Sequence, residues 1–238
     1  LGEWTLSNEN AQALNMPDGE GGPLLRDQVA HALRSAILDG TLKPGQRLTE
    51  HFLIELVGVS RTSVREAVRV LQAERLLENS SSRGVRVAMP TLEEAEHIYE
   101  IRSILEPAVA RLLCERATDD AVAALRAAFD EDLEGKPRVG TILSRFDTVF
   151  FSRCGNPVML KVAEPLYSRI ILLRSFAGRS AARHVAARQE IEELITAIEA
   201  RSVRRATAAS LRHVRAARAF ALRALVENPD WRMAILPA

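Results

Sequence analysis

Three arginines, Arg61, Arg65 and Arg69, stand four residues apart in the run GVSRTSVREAVRVLQAERL, residues 58–76. Four residues are just over one helical turn, so on a helix the three guanidinium groups share a face. Val64, Val68 and Leu71 recur on a different face and are expected to hold the helix against a core. Ser60, Thr62 and Ser63 keep the first turn small. Small residues let a backbone approach phosphates, and free N–H groups at a helix start favour an anion. The arginine fork matches the O6 and N7 acceptors of guanine. The chemistry to expect is contact with duplex DNA through Ser60, Arg61, Thr62 and Arg65. Arg69, a turn deeper, suits a phosphate or an ion pair with Glu66 or Glu55.

Such a helix needs elements to present it. Leu25, Val29, Leu33 and Ile37 recur every four residues and predict an amphipathic helix that stops at Gly40. LKPGQRL follows as a Pro-Gly turn with a short extended arm. Thr49 can cap a second helix with Phe52, Leu53, Leu56 and Val57 facing inward, Gly58 breaks it, and Ser60 caps the third. LLENSSSRGVRVAMP predicts two strands, near 76–79 and 84–88, around a serine-rich turn ending at Gly84. Arg86 makes this hairpin a basic wing. After Pro90 the pattern is helical throughout. Thr91 and Glu94 form a capping box, and Ile98, Ile101, Leu105, Val109 and Leu112 define an apolar stripe with a kink near Pro107. Further helices are predicted over 118–135, 139–153, 157–176, 179–200 and 203–226.

The expected fold is mainly α, a winged helix-turn-helix domain over 24–90 followed by an all-α bundle over 91–228. Residues 1–23, with four acids and no base, are expected to be a flexible arm, and 229–238 a tail. The chain of 238 residues has a net charge of only +1, with ten basic against seven acidic residues in 24–90. A nucleic-acid role therefore rests on where the arginines stand rather than on bulk charge. No apolar run approaches a membrane span, and no secretory signal is expected. Cys114 and Cys154 do not make a disulfide framework, so the expected location is the cytoplasm.

Residues 24–90 resemble the DNA-binding domain of the GntR family of bacterial transcription regulators, through PGQRLTE (44–50), GVSRTSVREAV (58–68) and the Gly84 wing. The family usually has proline where this chain has Ser63. The resemblance carries DNA contact onto Ser60, Arg61, Thr62, Arg65 and Gly84, and puts His51 where some members have a DNA-touching arginine. The helical part resembles the FCD-type effector domain of the FadR subfamily, through residues 98–118, 146–160 and 210–214. That resemblance implies a homodimer on a two-fold-related operator, controlled by a small metabolite. It also implies a metal held by one Asp and three His, and here the four positions read Asp147, Phe151, Ile191 and His213. With two of the four apolar, no metal or other cofactor is expected. A more apolar cavity favours an effector with an apolar body and an anionic group, paired by Arg102 and Arg174. Arg102 could instead pair with Glu106 or Glu100, and Asp147 and His213 could be a residual hydrogen-bonded pair.

The expected function is a ligand-responsive repressor of transcription. An enzyme is not expected: the chain has no glycine-rich phosphate loop, nucleophile elbow or HExxH. The alternative is a DNA-binding scaffold whose effector site has been lost.

Overall fold

The computed structural model describes residues 23–38, 40–80, 84–133, 144–177 and 180–228, so the expected arm up to residue 22 and the tail lie outside the described residues. The chain divides into two compact units, the division falling between Ala88 and Met89.

The first unit runs α1 (Pro23–Leu38), β1 (Arg47–Leu48), α2 (Glu50–Val57), α3 (Arg61–Ala73), β2 (Leu77–Asn79) and β3 (Val85–Val87). The four-residue spacing on α1 buries Val29, Leu33 and Ile37, and α1 packs chiefly on α3, whose Val64, Ala67 and Leu71 are buried too, as are Leu53 and Leu56 of α2. Arg34 of α1 forks onto Glu74 at the end of α3, with Nε–Oε2 at 2.9 Å and Nη2–Oε1 at 2.5 Å. The expected two-stranded wing has a third strand: the sheet order is β1-β3-β2, antiparallel throughout, with Arg86 opposite Arg47 on one side and Glu78 on the other. Two residues are too few to show the alternation that marks a strand, so β1 reads in sequence only as an extended arm.

Gly84 enters β3 at φ +125°, and a Cβ built there would stand 3.1 Å from the Leu48 carbonyl oxygen. Gly84→Ala is therefore expected to destabilise the protein by about 1–3 kcal/mol through backbone strain. Urea unfolding would measure it, and an unchanged midpoint would contradict the role given to this glycine.

The second unit runs α4 (Leu92–Arg116), α5 (Asp119–Leu133), α6 (Arg145–Ser152), α7 (Val158–Ala177), α8 (Ala181–Glu199) and α9 (Val203–Glu227). α4 starts at Thr91, whose Oγ1 accepts the Glu94 N–H at 3.0 Å, and packs most extensively on α9. Arg201, between α8 and α9, donates to the Leu113 and Ala117 carbonyls at the end of α4 and pairs with Asp119. The inward face of α4 differs from the predicted stripe. Of the predicted stripe Ile98, Val109 and Leu112 are buried and Leu105 is half-buried, but Ile101 is 52% exposed, as is Ile104 beside the stripe at 68%. The helix buries Ala95, Tyr99, Arg102, Glu106 and Leu113 instead. Two charged residues occupy core positions, so apolar residues alone trace the wrong line along the helix. No described helix is long and apolar enough to cross a membrane.

Candidate functional site

Two places gather the residues singled out by sequence. The first is the start of α3. Gly58 closes α2 in the left-handed conformation (φ 67°), its N–H donating to the Ile54 carbonyl at 2.8 Å. After Val59, Ser60 caps α3, its Oγ accepting the Ser63 N–H at 3.3 Å and lying 3.0 Å from the Ser63 Oγ. Serine at Ser63 thus adds a hydroxyl to the cap. Arg61, Thr62, Arg65 and Arg69 are all exposed, while Val64, Ala67 and Leu71 lock the opposite face into the core. Arg61 is not idle: its Nε lies 2.9 Å from Oε1 of Glu50, in the first turn of α2. Both partners are well exposed, so this pair contributes little to stability and exchanges readily. His51 pairs with Glu55 at 3.2 Å on the surface of α2. In the wing, Arg86 is exposed on the central strand with its Nε 2.7 Å from Glu78 Oε1.

The second place is the core of the helical unit. Arg102 is 1% exposed. Its Nε donates to Glu106 Oε1 at 2.6 Å, and its guanidinium lies over the rings of Tyr99 and Tyr167, 5.1 and 5.7 Å from their centroids. The Tyr167 hydroxyl donates to the same Glu106 oxygen at 2.9 Å. Burial pushes the Glu106 carboxyl up, but Arg102, with smaller help from His213 and Tyr167, outweighs it and holds the carboxyl below its ordinary range. Burial likewise opposes the Arg102 charge, and Glu106 more than restores it. Arg102 Nη1 and Ser210 Oγ are buried polar atoms with no hydrogen-bond partner among the described residues.

Phe151 is fully buried in an edge-to-face and stacked row, Phe129–Phe146–Phe150–Phe151–Tyr167, with centroids 5.2–6.1 Å apart. Asp147 lies in the first turn of α6, where its N–H donates to Ser144 Oγ (3.0 Å) and its carboxylate accepts from that hydroxyl (2.9 Å). Ile191 is half-buried on α8, and the Arg174 side chain lies outside the described residues. The hydrogen bond from His213 Nδ1, at 2.7 Å, goes to Glu190, whose carboxylate also receives both Arg183 Nη atoms at 2.7 and 2.8 Å. Among the described residues no three His, Cys, Asp or Glu side chains converge on a point that could hold a metal ion. The donor set does not fit one: Phe151 and Ile191 offer no ligand atom, and His213 is already engaged. Both cysteine thiols are buried and pushed up by that burial, with no histidine bonded to either among the described residues.

Glu106 was within reach of sequence reasoning, as the residue four beyond Arg102. Tyr167, Glu190 and Arg183 were not, because nothing in their spacing brings α7 and α8 to α4 and α9.

Burial raises the Glu190 carboxyl, but hydrogen bonds from His213 and Arg183 outweigh it, bringing the value to about 2 against an ordinary 4.5. A depressed carboxyl contributes stability above its unfolded value and loses it as pH falls through the folded value. The stability lost in Glu190→Gln is thus expected to be full above pH 4.5 and to shrink toward pH 2. Urea unfolding of both proteins across that window would measure it. A difference independent of pH would contradict the assignment.

A winged helix-turn-helix with an arginine-bearing third helix, followed by an all-helical unit, is the architecture of two-domain transcription regulators. Residues 25–87 match the model of the bacterial regulatory proteins, gntR family, and residues 97–216 match that of the FCD domain. The chain belongs to the gntR family of regulators that carry an FCD domain. It is 33% identical over 104 residues to the HTH-type transcriptional regulator YdhC of Bacillus subtilis, covering 44% of this chain and 46% of that one. It thus spans about half the length of that relative. It is 28% identical to the galactonate operon transcriptional repressor of Escherichia coli, over 65% of this chain and 79% of that protein. A solved GntR protein from Rhodococcus sp. RHA1 superposes with a TM-score of 0.71 at 25% identity, covering 83% of this chain and 97% of that one. The family and these relatives are transcription regulators, not enzymes.

Proposed function

We propose that the protein represses transcription as a cytoplasmic homodimer bound to a two-fold-related DNA operator, under the control of a small anionic metabolite. The observation that carries this reading is the solvent face of α3, where Arg61, Arg65 and Arg69 stand exposed behind a Ser60 cap while the other face is locked into the core. A helix so held enters a major groove N-terminus first. Ser60, Arg61, Thr62 and Arg65 meet base edges and nearby phosphates, and Arg69 meets a phosphate. Arg61 exchanges Glu50 for DNA as it docks. Gly84 lets the wing backbone approach the duplex, with Arg86 adding positive charge. Repression follows the galactonate relative, itself a repressor. Ile101 and Ile104, exposed on α4, supply apolar surface for pairing two helical units.

Residues 24–90 are the DNA-reading domain and 91–228 the sensing and pairing domain. The effector's acidic group meets Arg102 and Arg174, and its apolar part lies near Phe151 and Ile191, with Asp147 and His213 at the polar edge. The unpartnered Nη1 of Arg102 and Oγ of Ser210 support a ligand that accepts hydrogen bonds there. The second reading, a DNA-binding scaffold without an effector, is favoured by the pairing of Arg102 Nε with Glu106 and the complete burial of Phe151.

Fluorescence anisotropy with DNA from upstream of the protein's own gene, against scrambled DNA at several salt concentrations, tests the regulator. Preference for the upstream DNA supports it, and equal affinity with equal salt slope contradicts it. A thermal-shift screen of sugar acids, aromatic acids, acyl-CoAs and amino acids separates the two readings, since a ligand that binds the folded state raises the melting temperature.

A further inference from the structure

α9 carries six arginines and a single acid, Glu227, in its last position. All six, Arg204, Arg205, Arg212, Arg215, Arg218 and Arg223, are exposed. Between Arg204 and Arg223 the only other exposed residues are Ala208 and Ala219. At the helical repeat these eight positions fall within an arc of about 140°, along a ridge about 28 Å long. Arg212 pairs with Glu193 at 2.7 Å and Arg218 with Glu96 at 3.4 Å. The guanidinium groups of Arg204, Arg205, Arg215 and Arg223 make no ion pair or hydrogen bond with any described residue. The acids of the neighbouring helix α8 have partners other than those four arginines: Glu190 pairs with Arg183 and His213, Glu192 and Glu199 with Arg126, and Glu193 with Arg212 on the ridge itself.

We propose that α9 is a second nucleic-acid contact, a ridge that lies along the phosphate backbone of duplex DNA without reading its sequence. The face is unsuited to a protein partner. Protein interfaces centre on aromatic or large apolar anchors that exclude water, and this one has only arginine and alanine over five turns. It suits a polyanion. Duplex DNA carries one charge per about 1.7 Å of axis, and arginines that neutralise phosphates release condensed counterions. The two alanines leave the helix low between its charges, so the guanidinium groups can reach phosphates on a surface that presses close. The choice of DNA as partner rests on the regulator reading, while the ridge itself involves no residue of α3.

The test uses the full chain with Arg204→Gln, Arg215→Gln and Arg223→Gln combined. A control combines Arg116→Gln, Arg153→Gln and Lys161→Gln, three exposed cations outside α9. Anisotropy titrations across salt use two duplexes, one from upstream of the gene and one scrambled. Removing one phosphate-neutralising arginine lowers the slope of log affinity against log salt by about 0.9, so the α9 set is expected to lower it by up to about 2.7 on both duplexes by the same amount. The control set is expected to leave the slope nearly unchanged, and circular dichroism to show all variants folded. An unchanged slope in the α9 set would overturn the proposal and leave the ridge to another partner. An equal fall in the control set would also overturn it, because net charge would then be the cause. Arg65→Ala in the same titrations separates the two readings. Loss of preference in Arg65→Ala with no effect of the α9 set sinks the ridge alone, and the reverse sinks the α3 reading alone.

Discussion

Glu106→Ala is expected to lower the stability of the protein by about 3–5 kcal/mol, the usual cost of leaving one partner of a buried ion pair alone. Arg102 is 1% exposed, and its Nε has Glu106 as its ion-pair partner at 2.6 Å. Without that carboxylate the guanidinium keeps two tyrosine faces and, among the described residues, no counter-charge in contact. Tyr167 would lose its acceptor as well. Against a total stability of about 5–15 kcal/mol this is a large fraction. Replacing both residues with apolar ones of similar volume, Arg102→Met with Glu106→Leu, is expected to recover most of the loss, because no charge is then left buried. Guanidinium unfolding of the single and double variants measures both. A single variant within about 1 kcal/mol of the parent would mean that water reaches Arg102. The double variant has a further use. If it folds, binds DNA and no longer responds to an effector, Arg102 anchors that effector. If it still responds, Arg102 only holds the bundle together.

Arg65→Ala is expected to weaken binding to the preferred DNA sequence by about 1–3 kcal/mol, or about 5- to 150-fold, and to relax preference at one base position. Arg65 is exposed on α3, one turn beyond the capped start, with its carrying face fixed by Val64 and Ala67. Arg69→Ala, a turn deeper, is expected to weaken preferred and scrambled DNA alike, as removing a phosphate partner does. Titrating both variants against both duplexes measures the contrast. Equal losses on the two duplexes in Arg65→Ala would move Arg65 from base reading to phosphate contact.

The first unit was largely legible because its signals are local. The spacing of Val29, Leu33 and Ile37, the Thr49 and Ser60 caps and the Gly58 break each act within a few residues, and each element formed where they predict it. What sequence could not show there was side-chain partnership across elements. Glu50 meets Arg61 because α2 and α3 cross at a turn, and Arg86 meets Glu78 because of strand register. The helices of the second unit were also legible, but the inward side of α4 was not. Arg102 and Glu106 are tolerated in the core only because they neutralise each other and because Tyr99 and Tyr167 come from two helices to cover them. A rule that places charge outside and isoleucine inside therefore turned that helix the wrong way at Ile101. The same long-range packing takes His213 to Glu190, a residue with no mark in the sequence.

Selection from a pool of randomised duplexes with the 238-residue protein tests whether α3 reads DNA for a two-fold homodimer. Enrichment of one motif made of two inverted half-sites, their centres about one helical turn apart, is expected. Arg65→Ala, put through the same selection, is expected to lose preference at one position in each half-site. A pool that emerges as random as it entered, bound with a steep salt dependence, would contradict it, leaving a protein that holds DNA without reading it.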